Sequence, residues 1–133
     1  MADELLRYTI SKDQRIRSSL DFARVYDLKQ RAGDEHLLVF GLRNELGHTR
    51  FGLSVSKKHG NAVKRARLKR LLREAFRLSQ HDLPRGLDLV LIPRQNSGAT
   101  LADYRESLKR AARKLDRRLS DSSQQFNSET KPR

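Results

Sequence analysis

Residues 56–77 read S-K-K-H-G-N-A-V-K-R-A-R-L-K-R-L-L-R-E-A-F-R and concentrate the groups in this chain most able to do chemistry. Lys57, Lys58, Lys64, Arg65, Arg67, Lys69, Arg70, Arg73 and Arg77 stand there against a single acid, Glu74. The chemistry they offer is electrostatic: capture of a polyanion through its phosphates. On a helix beginning after Asn61, Leu68, Leu71, Leu72, Ala75, Phe76 and Leu78 gather on one side at the spacing of a buried face. Arg67, Lys69, Arg70, Arg73 and Arg77 fall on the other. This layout is costly for an ordinary solvated helix. Lys64 and Arg65 sit at the positive end of the helix dipole. Arg65/Lys69, Lys69/Arg73 and Arg73/Arg77 are like-charged pairs four apart, each unfavourable by roughly 0.2–0.5 kcal/mol. A solvated face normally mixes signs, so the pattern predicts a polyanionic partner.

Other candidate chemistry is thin. His36, His48, His59 and His81 are scattered over predicted loops without metal-ligand spacing, and read as surface residues. Asp21, Asp34, Glu35, Glu45, Asp82 and Asp88 form no D-x-D or H-E-x-x-H arrangement. Gly60 lacks a second glycine and the G-K-S/T close of a phosphate-binding loop. A nuclease built from protein alone would need clustered carboxylates for two metals. No catalytic or metal-ligating residue is therefore expected in the polypeptide.

The bulk properties agree. The chain has 133 residues and a formal charge of +13, of which residues 57–77 supply +8. That length suits one domain with a modest core. The clustered charge is the footprint of a nucleic-acid binder. There are no cysteines, which excludes disulfides and cysteine-based zinc sites. The start, M-A-D-E-L-L-R, lacks the form of a secretory signal. No apolar run approaches the ~20 residues of a membrane span. A soluble cytoplasmic protein is expected.

The elements that would position the cations follow from periodicity. Residues 1–14 read as a loosely held extension. Ser18 or Ser19 caps a helix to about Lys29, with Asp21 in its first turn. Residues 31–35 read as a turn. Leu37–Arg43 reads as a strand, residues 44–48 as a hairpin loop and residues 49–56 as an alternating strand. In that strand Phe51, Leu53 and Val55 point one way, and Arg50, Gly52, Ser54 and Ser56 the other. Two adjacent antiparallel strands are expected, with a third split from the region 35–44. The basic helix spans Ala62–Ser79 with Asn61 as its N-cap. Residues 87–92 are nearly all apolar, as for a strand covered on both faces. A strand–helix–strand order makes that strand parallel to its predecessor. Thr100 caps a last helix to Leu119, and residues 120–133 read as a disordered tail. The fold class is α+β: one small sandwich, order α-β-β-β-α-β-α, with helices on a mixed sheet of about four strands.

Residues 56–76 closely resemble the signature of the bacterial ribonuclease P protein subunit, S-K-K-x-G-x-A-V-x-R-N-R-x-K-R-x-x-R-E. Every fixed position matches except the central Asn of Arg-Asn-Arg, which is Ala66 between Arg65 and Arg67. Residues 15–26 (R-I-R-S-S-L-D-F-A-R-V-Y) are similar to the family's first helix, and residues 86–94 (G-L-D-L-V-L-I-P-R) to its last strand. The likeness covers residues 15–119. It implies a left-handed strand–helix–strand crossover. It also implies a protein that pairs with a large catalytic RNA, which holds the active-site magnesium and removes the 5′ leader from precursor tRNA. No stable protein partner is implied.

Carried over residue by residue, the resemblance makes Arg65, Arg67, Lys69, Arg70 and Arg73 contacts to the catalytic RNA, extended by Lys57, Lys58 and Lys64. Phe22, Tyr26 and Phe40 match aromatic positions lining a cleft for the single-stranded leader, with Ser54 and Ser56 in its floor. Aromatic faces stack on unpaired bases without demanding a sequence. The alternative is that those aromatics are plain core. Ala66 removes an amide able to pair with RNA but favours the helix. Without the resemblance, a ribosomal or general structural RNA-binding protein would lead, ahead of a membrane-surface helix.

Overall fold

The structure is a computed structural model that describes residues 8–27 and 29–129, with side chains described through Ser120. Its elements are α1 (Ser19–Asp27), β1 (Arg31–Gly33), β2 (Leu37–Arg43), β3 (Arg50–Leu53), α2 (Ala62–Ser79), β4 (Leu87–Pro93) and α3 (Leu101–Glu129). The four strands form one mixed sheet in the order β1-β2-β4-β3. This is the expected α+β sandwich, with the expected parallel pairing of β3 and β4 around α2.

Strand order departs from the sequence reading. β2 and β3 are not neighbours: β4 lies between them, antiparallel to β2 and parallel to β3. β4 is apolar on both faces and buried almost throughout, so it takes the central place, where both edges are hydrogen-bonded and both faces covered. The 44–48 loop therefore crosses the end of β4 instead of closing a hairpin. Asn44 holds it there, donating its backbone N–H to the Gly86 carbonyl at 2.8 Å and its amide to His48 O and Asp88 Oδ1. The fourth strand comes from residues 31–33, read as a turn. The true turn is one step later, where Asp34 Oδ1 accepts from the His36 and Leu37 N–H groups.

Helices cover both faces. Leu72, Ala75 and Phe76 of α2 and Tyr104, Leu108, Ala112 and Leu115 of α3 pack on Val39, Phe51, Leu89 and Leu91 to form the main core. On the other face α1 closes a smaller core of Ile16, Val25 and Val90. The local stops and starts were legible. Ser18 Oγ accepts from the N–H groups of Leu20 and Asp21, and Asn61 Oδ1 accepts from Lys64 N–H at 2.9 Å. Thr100 and Asp103 cap α3 reciprocally.

Parts of both chain ends take defined positions. Residues 8–14 are tied to the end of α2: Arg77 donates to Tyr8 O, and Gln80 to Thr9 O and, as acceptor, from Gln14. Residues 1–7 lie outside the described residues. α3 runs ten residues past the predicted end at Leu119, since no Gly or Pro interrupts residues 99–131 and nothing local stops the helix. Residues 130–133 lie outside the described residues.

Candidate RNA-binding surfaces

The cations of α2 point away from its core face. Arg67, Lys69 and Arg70 are exposed, Arg65 and Arg73 half-buried, and Ala66 is exposed among them. Lys57 and Lys58 stand exposed on the 3-10 turn that enters the helix, and Lys64 on its first turn. Among the described residues none of these eight side chains forms a salt bridge with a carboxylate. Arg65 Nε instead donates to Gly60 O at 3.2 Å. Arg77 leaves the stripe: it makes a two-pronged pair with Glu74, at 2.9 and 2.7 Å. The Arg77 bond is the main reason that the Glu74 carboxyl sits below its ordinary range. Leu68 and Leu71, expected in the core, are only half-buried at its margin.

On the opposite face of the sheet, register arranges side chains in rows. Arg50, Asp88 and Leu42 form one row, and Gly52, Val90 and Phe40 the next. Ile92 and Leu38 form the third, with Ser54 beside them, because its N–H extends the parallel ladder to Leu91 O. α1 covers the first two rows. The tip of the Phe22 ring lies against Gly52, where a Cβ would come 2.5 Å from its Cζ. Tyr26 meets Phe40 edge to face with centroids 5.0 Å apart. The three aromatics are half-buried and pack on the small core. The structure thus brings Phe22, Tyr26, Phe40 and Ser54 to one side of the sheet.

Ser56 does not join them. Regular pairing of β3 ends at Leu53, and Ser56 caps the following 3-10 turn. Its hydroxyl accepts from Lys58 N–H at 3.3 Å, and its own N–H donates to His59 Nδ1 at 3.0 Å. A serine immediately before a lysine pair carries this turn-capping signal as readily as a strand signal.

Two supporting features escaped the sequence reading. Arg50 makes paired bonds to Asp88 at 2.8 and 2.6 Å and reaches Asp21 of α1 at 3.4 Å. The Asp88 hydrogen bond chiefly raises the Arg50 pKa against the opposing effect of burial. This triad fixes α1 to the floor it overhangs. Its signal was Asp88 inside an apolar strand, since a buried carboxylate requires a partner. His59, read as a surface residue, bridges two turns: beyond its bond from Ser56 N–H, its Nε2 lies 2.7 Å from Pro93 O at the end of β4. Among the described residues no three His, Asp or Glu side chains gather to hold a metal, and no helix is long and apolar enough to cross a membrane.

This geometry has close counterparts. The Ribonuclease P family model matches residues 10–119. A ribonuclease P protein component of Serratia proteamaculans is 39% identical over 115 residues, spanning 86% of this chain and 93% of that protein. One from Oleidesulfovibrio alaskensis is 41% identical over 88 residues, 65% of this chain and 70% of that protein. Among solved structures, the Staphylococcus aureus RNase P protein superposes with a TM-score of 0.65 at 33% identity, covering 77% of this chain and 94% of its own. The Thermotoga maritima protein gives 0.65 at 32%, covering 71% and 90%. These matches do not favour a ribosomal protein. With its fold, its signature and its relatives in agreement, the chain belongs to the ribonuclease P protein family, as a protein component of that endoribonuclease.

Proposed function

We propose that this protein docks the catalytic RNA of ribonuclease P on α2 and holds the 5′ leader of precursor tRNA beneath α1. The observation that carries the reading is a run of eight cations on and before α2, none of which forms a salt bridge among the described residues. Unpaired like charges on one helix cost stability in the free protein, and that cost is recovered when phosphates displace their counterions. Lys57, Lys58, Lys64, Arg65, Arg67, Lys69, Arg70 and Arg73 form this docking surface. Phe22, Tyr26 and Phe40 offer ring surface to unpaired bases, and Ser54 offers a hydroxyl from the floor.

The two surfaces lie on opposite faces of the sheet, and the turn 56–60 joins β3 to α2 in the chain. The protein supplies no group that attacks the phosphodiester. In this reading cleavage and its metals belong to the RNA, as the resemblance of residues 56–76 implies. The protein's share is to bind the leader and to lower the magnesium demand by adding fixed positive charge. The reaction belongs to the cytoplasm, where precursor tRNA is made.

Reconstitution tests this directly. The protein is mixed with a bacterial ribonuclease P RNA at low magnesium, and cleavage of a precursor tRNA is followed. Protein-dependent cleavage at the mature 5′ end, absent with protein alone, is expected. Tight RNA binding with no gain in cleavage would overturn the assignment and leave a general RNA-binding protein.

A further inference from the structure

Between the first turns of α2 and the loop 94–100 lies an open groove of about 620 Å³, within the range of sites for small organic groups. Lys64, Arg67, Leu68 and Leu71 line one wall. They are the i, i+3, i+4, i+7 positions of a single helical seam, so cations stand directly above half-buried leucines. The facing wall is the loop, with the exposed amides of Gln95 and Asn96. No acidic residue lines the groove.

The walls are fixed relative to each other. His59 Nε2 bonds Pro93 O at 2.7 Å, and the Arg94 N–H donates to His36 O at 2.9 Å. Ser97 Oγ accepts from Ala99 N–H at 3.2 Å. Asn96 and Gly98 take left-handed conformations, φ 57° and 66°, which turn the loop back toward α3. The space is therefore a built concavity and not a gap between mobile parts.

We infer that this groove receives an unstacked nucleotide of the RNA that docks on α2, an inference that rests on the docking surface proposed above. The chemistry matches part for part. A base splayed from a loop presents flat apolar faces, which suit Leu68 and Leu71. It presents a donor–acceptor edge, which suits the side-chain amides opposite. Its phosphates fall at the rim held by Lys64 and Arg67, continuous with the rest of the stripe. The site thus adds readout of a single-stranded position to a surface that otherwise reads only charge.

The chain has no cysteine, so Asn96→Cys gives a single thiol for a benzophenone photocrosslinker, with Arg113→Cys on the exposed side of α3 as comparison. Each labelled protein is bound to a bacterial ribonuclease P RNA, irradiated, and its adducts mapped. Adducts from position 96 are expected to concentrate at one or two unpaired nucleotides. Ala99→Trp, which fills the groove, is expected to weaken RNA affinity severalfold. Should that variant unfold by circular dichroism, the paired change Gln95→Ala with Asn96→Ala, both exposed, carries the affinity measurement. Salt-sensitive RNA binding with diffuse adducts, or a folded groove variant of undiminished affinity, overturns the groove alone. Failure of the unsubstituted protein to bind the RNA overturns the docking surface with it.

Discussion

Single contacts decide how α1 sits on the sheet and how the fold responds to acid. Gly52 is the clearest case, because its missing side chain is the space that Phe22 fills. Gly52→Ala is expected to displace the ring, lowering stability by about 1–3 kcal/mol through overpacking and weakening precursor binding, while RNA docking on α2 is retained. Urea denaturation and separate binding assays check the two effects; unchanged precursor affinity would remove Phe22 from the cleft. Asp34 governs the response to acid. Burial pushes its carboxyl upward, but the Ser107 hydroxyl, the His36 amide, Arg110 and the Leu37 amide together hold it well below the ordinary carboxylate range. The native state therefore binds fewer protons than the unfolded chain below about pH 4. The stabilisation is complete above that pH and drains away as the pH falls further. Asp34→Asn is expected to lower stability at pH 7 and to converge with the unsubstituted protein in strong acid, as denaturation midpoints across pH will show.

At the scale of elements, what matters is how helices are held over the sheet. α1 is short, and its position rests on Asp21 reaching Arg50, itself bound to Asp88 in the central strand. Asp88→Ala leaves a largely buried guanidinium with one distant partner. A loss of roughly 3 kcal/mol is expected, together with a looser α1. Chemical denaturation gives the first, and hydrogen exchange of α1 amides the second. A loss under about 0.5 kcal/mol would show the triad to be incidental. α2 carries the opposite strain, with eight cations on and before it that form no salt bridge among the described residues, and a helix start capped by the neutral side chain of Asn61. Arg77 pairs with Glu74 within the helix. The helix is kept by Leu72, Ala75 and Phe76 in the core, which frees its outer face for charge.

For the whole molecule, the sheet separates the two surfaces proposed for RNA docking and leader binding. If about six to eight cations of α2 neutralise phosphates, log affinity for the RNA falls with log salt at a slope of order −4 to −7. A slope shallower than about −2 would refute the stripe as the main docking surface. Because Arg67 and Phe22 lie on opposite sides of the sheet, Arg67→Ala is expected to weaken assembly with the RNA, and Phe22→Ala to weaken precursor binding by the assembled enzyme. Filter binding of RNA and single-turnover cleavage separate these steps. Equal effects of both substitutions on both steps would refute the division.

Features that depend on neighbours in the chain were legible from the residues alone. The bounds of α2, its Asn61 cap, its basic face, the Thr100 cap of α3 and the buried character of β4 all follow from local periodicity and side-chain chemistry. The signature in residues 56–76 was likewise a matter of spacing. What tertiary structure decided was non-local. β4 entered between β2 and β3 because its two apolar faces and two open edges are best satisfied at the centre of the sheet, and pairing across the sheet leaves no mark in a short turn. That insertion puts Asp88 beside Arg50, sets Val90 under Phe40 and Gly52, and brings Pro93 to His59. Leu68 and Leu71 were assigned to the core by helical period, yet period says only which side of a helix is apolar. Whether that side meets another element or opens into a groove depends on where the loop 94–100 lands, and the sheet order settles that.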